Sequence, residues 1–183
     1  MPLEFPGRLR IAGTWCAYSI GGEVQMHKTT WKPYVFWVLG VEAVGALSGF
    51  LTREGAEIYR EAMRKPPLSP PGFLFPIVWG ILFLLLGIGA ARIYLAPPSA
   101  HRTKSLRIFF VQLAFNFFWS IIFFNLQRFG FAFFWLVALW GMILWMISSF
   151  HQVDHLAARL QLPYFLWVTF AAYLNLGVWM LNR

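Results

Sequence analysis

The chain has 183 residues, of which 59% are hydrophobic and 12% charged, where a soluble domain carries about a quarter charged residues. With a mean hydropathy of +0.61, this excludes an ordinary soluble globular protein and indicates a membrane protein. The net charge of +8 is scattered between apolar blocks rather than gathered in a basic stripe, which excludes a nucleic-acid partner and places the cations in loops beside anionic lipid.

Residues 1–33 lack the continuous apolar core of a secretory signal and read as a flexible N-terminal extension. The extension carries Cys16, the only cysteine, so no intrachain disulfide can form. Since a hydrocarbon core needs about 20 apolar residues per helix, the first span falls at 34–52. It contains Glu42, a carboxyl at membrane depth, and "GALSG", a small-xxx-small pattern suited to close helix packing.

A long loop follows, over 53–73. Glu57 with Arg60, and Glu61 with Arg64 and Lys65, stand at i,i+3 or i,i+4 and favour a short helix. "KPPLSPP" then favours stiff, polyproline-like backbone. Lys65, Pro66, Pro70, Pro71 and Phe73 are therefore expected to form a rigid cap over the end of the bundle.

The remaining spans are expected at 74–95, 106–126, 130–150 and 163–182, so the fold class is all-α, an integral membrane bundle of five transmembrane helices. Open sheet is excluded because lipid offers no partner for unpaired backbone groups. A slight excess of Lys and Arg favours the N-terminus inside. His151 and His155, at i,i+4 beside a helix end, read as a solvated pair rather than a metal site. No metal site is expected, and no internal repeat is apparent. No Gly-rich phosphate loop, nucleophilic triad or carboxylate pair appears, which points away from hydrolysis and phosphoryl transfer.

Polar groups inside a bilayer are costly and each needs a reason. Gln112 and Asn116 in the third span and Asn175 in the fifth lie at a depth similar to Glu42, and the antiparallel fourth span brings Trp140 to the same level. Gln112, Asn116 and Trp119 share one helix face, as do Trp167, Ala171 and Asn175. Two readings stay open. The amides either staple helices together or line an aromatic cavity. Trp135 and Trp179, nearer helix ends, read as interfacial belt residues.

"KPPLSPPGFLFPIVWGILF", "VQLAFNFFWSIIFF" and "AARLQLPYFLWVTFAAYLN" resemble, in order and spacing, hallmark stretches of the translocator protein family, also called tryptophan-rich sensory proteins or peripheral-type benzodiazepine receptors. The resemblance covers 34–183 and implies a five-helix membrane domain, a homodimer in contact with membrane lipid, and a pocket covered by the first loop. It implies a multi-pass protein of a bacterial envelope or an organelle membrane. It also implies a binding protein for porphyrins, protoporphyrin or haem, and related hydrophobic ligands, which sequesters, senses or transports them under stress. On this reading porphyrin is a ligand and no cofactor is obligate. Trp79, Asn116, Trp119, Trp167, Ala171 and Asn175 correspond to pocket positions of that family. An alternative is a light-dependent porphyrin-degrading enzyme that uses tryptophan chemistry. Leu68 and Phe73 stand where many members have loop tryptophans, which counts against that activity. Leu176 and Met180 break the sterol motif of animal members, and Arg183 lies too far from Tyr173 to restore it.

Overall fold

The computed structural model describes residues 31–183. The expected extension lies outside them except at 31–33, where the first helix is already under way. The elements are α1 (Lys32–Leu51), α2 (Arg53–Ala62), α3 (Leu74–Leu95), α4 (Ala100–Ser120) ending in a π-turn (Ile121–Asn125), α5 (Phe129–His151), α6 (His155–Arg159) and α7 (Leu162–Leu181). Among the described residues, five helical segments are long and apolar enough to cross a membrane: α1, α3, α4 with its π-turn, α5, and α6 with α7. The chain is a multi-pass membrane protein, and no strand occurs among the described residues.

Local chemistry sets most helix ends. Pro33 opens α1 and Pro163 opens α7 at positions where the missing N–H costs nothing. Two boundaries differ from the sequence expectation. Helix α4 starts at Ala100 rather than 106, because Ser99 Oγ accepts the Arg102 N–H at 3.1 Å and makes "AHRTKS" the polar first turns of the helix. The stretch after α5 holds a short helix, α6, because Asp154 accepts the Ala157 N–H at 2.8 Å.

The helices turn aromatic and aliphatic side chains outward. Phe36, Phe134 and Leu166 are each more than 60% exposed, an arrangement that suits lipid contact. Because lipid tails are as apolar as leucine, packing and interior hydrogen bonds, rather than hydrophobic burial, hold such a bundle together. Close approach does part of this. A Cβ at Gly87 would meet the Val38 backbone, and one at Gly45 would fall on the Phe83 ring, so both glycines seat α1 against α3. The small-residue pattern of α1 is thereby used at Gly45 within the chain.

The end of the bundle opposite α2 is tightly closed. Arg92, in the last turn of α3, donates to Asp154 at 2.7 Å. Gln161 donates to the Leu85 and Ala157 carbonyls, and Ser105 and Ser149 pair at 2.7 Å between α4 and α5. Trp37 packs edge-on to Phe109 across α1 and α4. The exposed His151 and His155 rings meet at 2.8 Å. No cluster of three or more potential metal ligands forms among the described residues.

Burial by itself raises the Asp154 carboxyl pKa. The Arg92 hydrogen bond and charge and the Ala157 N–H outweigh it and hold the group below the ordinary carboxylate range. Such a carboxyl stabilises the fold only while ionised. Its contribution is complete above the unfolded-state pKa of about 3.9 and is lost as pH falls through the lower folded-state value. In thermal unfolding of detergent-solubilised protein, Asp154→Ala is expected to cost about 1–2 kcal/mol. Asp154→Asn, which keeps a capping oxygen, should cost less. The gap between wild type and Asp154→Asn should close below about pH 4; a gap independent of pH would show that the charge contributes nothing.

Candidate functional site

The opposite half of the bundle, under α2, is hollow. A cavity of about 600 Å³ is bounded by α1, α2, α3, α4 with its π-turn, α7 and the loop before α3. Its size lies within the range of about 300–1,000 Å³ typical of small-molecule sites.

Aromatic rings form most of its body. Trp79 comes from α3, where it stacks at a tilt on Phe83 with centroids 5.3 Å apart. Trp119 comes from α4 and stacks on Phe123 of the π-turn at 5.2 Å. Widening the helix at 121–125 points Phe123 and Phe124 into the cavity beneath Tyr59 of α2. Burial pushes the Tyr59 phenol above its ordinary pKa, so it stays neutral. Trp167 of α7 closes the wall edge-on to Phe75 at 5.9 Å, and its indole N–H is buried without a partner among the described residues.

The amides divide by role. Asn116 lines the cavity and donates from Nδ2 to the Tyr164 hydroxyl at 2.8 Å, which in turn donates to Gln112 Oε1 at 3.1 Å. Gln112 lies behind this wall, wholly buried, and does not reach the cavity surface. Asn175 lines the cavity but is committed on both sides of its amide. Its Oδ1 accepts the Trp119 indole N–H at 3.3 Å, and its Nδ2 donates to the Phe129 carbonyl at 2.8 Å. One side chain thus joins α7, α4 and the start of α5 while forming part of the wall. The staple and cavity readings, alternatives in the sequence, coincide here.

Trp79, Asn116, Trp119, Trp167, Ala171 and Asn175 all line the hollow. Trp140 does not. Its indole donates to Thr169 at 2.9 Å, and Thr169 lies on the opposite side of α7 from Trp167 and Ala171. Trp135 departs from the belt expectation: it stacks on Phe115 at 4.5 Å and donates to the Phe115 carbonyl, clamping α5 to α4.

The covering loop differs in conformation from the extended backbone expected of it. The chain turns at Pro67 and Leu68, where Leu68 has φ 66° and Ser69 Oγ donates to the Pro66 carbonyl at 2.7 Å. Proline pre-sets the first turn position, but a leucine in the left-handed region costs roughly 1–2 kcal/mol. Contacts to α7 oppose that strain. Pro66 lies against Gly177, where any Cβ would collide with the ring. Tyr173 donates to the Pro67 carbonyl at 3.0 Å. Asn182 both accepts the Arg64 N–H at 3.0 Å and donates to the Arg64 carbonyl at 2.9 Å.

Lys65 and Pro70 line the cavity, whereas Pro66 faces α7, and Pro71 and Phe73 are exposed. The expected Glu–Lys and Glu–Arg pairs of α2 do not close among the described residues. Lys65 Nζ instead donates to the Arg60 carbonyl at 2.7 Å. Tyr164, Tyr173, Gly177 and Asn182 escaped sequence reasoning. The i,i+4 spacing of Tyr173 and Gly177 along α7 was the available signal, whereas Asn182, at the helix C-cap, offered none.

The model of the TspO/MBR family matches residues 36–180. Protein CrtK of Rhodobacter capsulatus is 36% identical over 141 residues, covering 76% of this chain and 87% of the relative. Tryptophan-rich protein TspO of Chlorobaculum tepidum is 34% identical over 141 residues, covering 76% and 89%. The translocator protein of Bos taurus is 32% identical over 155 residues, covering 84% and 92%.

Two outcomes test this geometry. Asn182→Ala removes two loop hydrogen bonds, each worth about 1 kcal/mol, and should raise trypsin nicking after Arg60 and Arg64 up to about thirtyfold; unchanged nicking would mean the loop is held elsewhere. Tyr164→Phe strands both Asn116 Nδ2 and Gln112 Oε1 and should lower stability by about 1–3 kcal/mol, read as a lower thermal midpoint in detergent.

Proposed function

The chain belongs to the TspO/MBR family, and from that premise we propose that it is a membrane binding protein for porphyrins and related flat hydrophobic ligands. On this reading it sequesters, senses or translocates them. The observation that carries the reading is the lidded hollow walled by Trp79, Trp119 and Trp167. A tetrapyrrole offers a wide apolar face, which stacks on indoles at about 0.5–1.5 kcal/mol per ring contact beyond burial.

The polar groups suit the same ligand. The Trp167 indole N–H has no protein partner among the described residues and is a donor in reserve. Asn116 uses Nδ2 on Tyr164, which fixes its amide plane in the wall. Arg53, Arg60 and Lys65 line the mouth and supply positive charge where the carboxylates of a porphyrin would emerge into the headgroup region. The loop closes over them and excludes water from the stacked macrocycle.

The test is quenching of tryptophan fluorescence by protoporphyrin in lipid nanodiscs. Wild type is expected to show saturable quenching. Trp167→Phe combined with Asn116→Leu should raise the Kd about tenfold through one lost ring contact and a loosened wall. Absence of quenching, or equal affinity in the double variant, would overturn the proposal. Under illumination a binder returns the porphyrin absorption band unchanged. Progressive loss of that band would replace binding by degradation as the activity.

A further inference from the structure

The wall contributed by α1 and its cap is made of Gly45, Ala46, Ser48, Gly49 and Thr52, with one carboxyl, Glu42. Glu42 lies near the middle of α1, about 15 Å from either helix end. Among the described residues it makes no hydrogen bond and no ion pair, since the ion pairs there are Arg53 with Glu54 and Arg92 with Asp154. Helix rise places the nearest cation on its own face, Arg53, about 16 Å further along.

Other helices do not answer it either. Among the polar groups that line the same hollow, Asn116 donates to Tyr164, Asn175 to the Phe129 carbonyl, Thr52 to the Ser48 carbonyl, Lys65 to the Arg60 carbonyl and Ser69 to the Pro66 carbonyl, and none bonds Glu42. A carboxyl at hydrocarbon depth is costly unless something pairs with it. Glu42 borders the cavity, so a partner of suitable chemistry can reach it from there.

We propose that Glu42 is a specificity-determining residue, selecting occupants whose flat apolar body carries N–H donors or a basic nitrogen. The inference rests on the reading of this cavity as a ligand site and deepens it. An occupant that satisfies Glu42 in the membrane and the Arg53, Arg60 and Lys65 mouth at the surface carries donors in its ring system and acidic groups at its edge. Tetrapyrroles have this distribution, with pyrrole N–H groups inside and carboxylates outside. A neutral hydrocarbon of the same outline leaves the carboxyl desolvated and unpaired, so it binds less well.

The probes are 9-aminoacridine, flat and cationic, and 9-methylanthracene, of similar outline and neutral. Each is titrated into full-length protein in zwitterionic nanodiscs against empty nanodiscs, with protoporphyrin as a separate arm. Wild type should prefer the acridine by at least about tenfold. Glu42→Gln should erase that preference by weakening the acridine and tightening the anthracene, and Glu42→Asp should retain part of it. Equal acridine affinity in wild type and Glu42→Gln would overturn the inference, as would equal weakening of both probes, the mark of a structural role. Failure of protoporphyrin alone, with the Glu42-dependent preference intact, would overturn the tetrapyrrole reading and leave this one standing.

Discussion

A hydrogen-bonding group carried into the middle of a bilayer meets no water, so it must find its partner inside the protein or remain unpaired at a cost of several kcal/mol. In this chain that requirement turns Gln112, Asn116 and Asn175 inward from two different helices. Tyr164 joins the first two, and Asn175 spans from the Trp119 indole to the first carbonyl of α5. These bonds tie α4, α5 and α7 together beside the space that the aromatic side chains line.

The bundle divides the same elements into two unlike halves. Away from α2, an ion pair, a serine pair and a glutamine that reaches two carbonyls close the helices on one another. Toward α2, large rings replace small contacts and the helices enclose space. The π-turn matters to this difference because a wider helical turn reorients Phe123 and Phe124 into the cavity. The closed half holds the geometry while the open half encloses the hollow, a division that would keep a binding site preorganised on the proposed function.

The covering loop is held by α7 and its C-cap residue and not by its own prolines alone. Gly177 admits Pro66, Tyr173 reaches Pro67, and Asn182 pairs with both backbone groups of Arg64. The strained Leu68 shows that the loop is shaped by what it docks on.

Composition and hydropathy alone determined that this chain crosses a membrane as five helices, because apolar length is a property of a segment and needs no knowledge of its neighbours. Helical spacing likewise placed Asn116 with Trp119 and Trp167 with Ala171 on common faces, and all four line the cavity. Depth alone could not separate Trp140 from them, since rotation about α5 sends its indole to Thr169 on the far side of α7. Nor could sequence show that Asn175 is both staple and wall, that a serine cap begins α4 early, or that the proline run turns at Leu68. Each of those depends on which group from another segment, or which short-range cap, satisfies a particular donor or acceptor. Only the folded arrangement decides that, because hydrogen bonds across helices are set by rotation and separation, and linear spacing encodes neither.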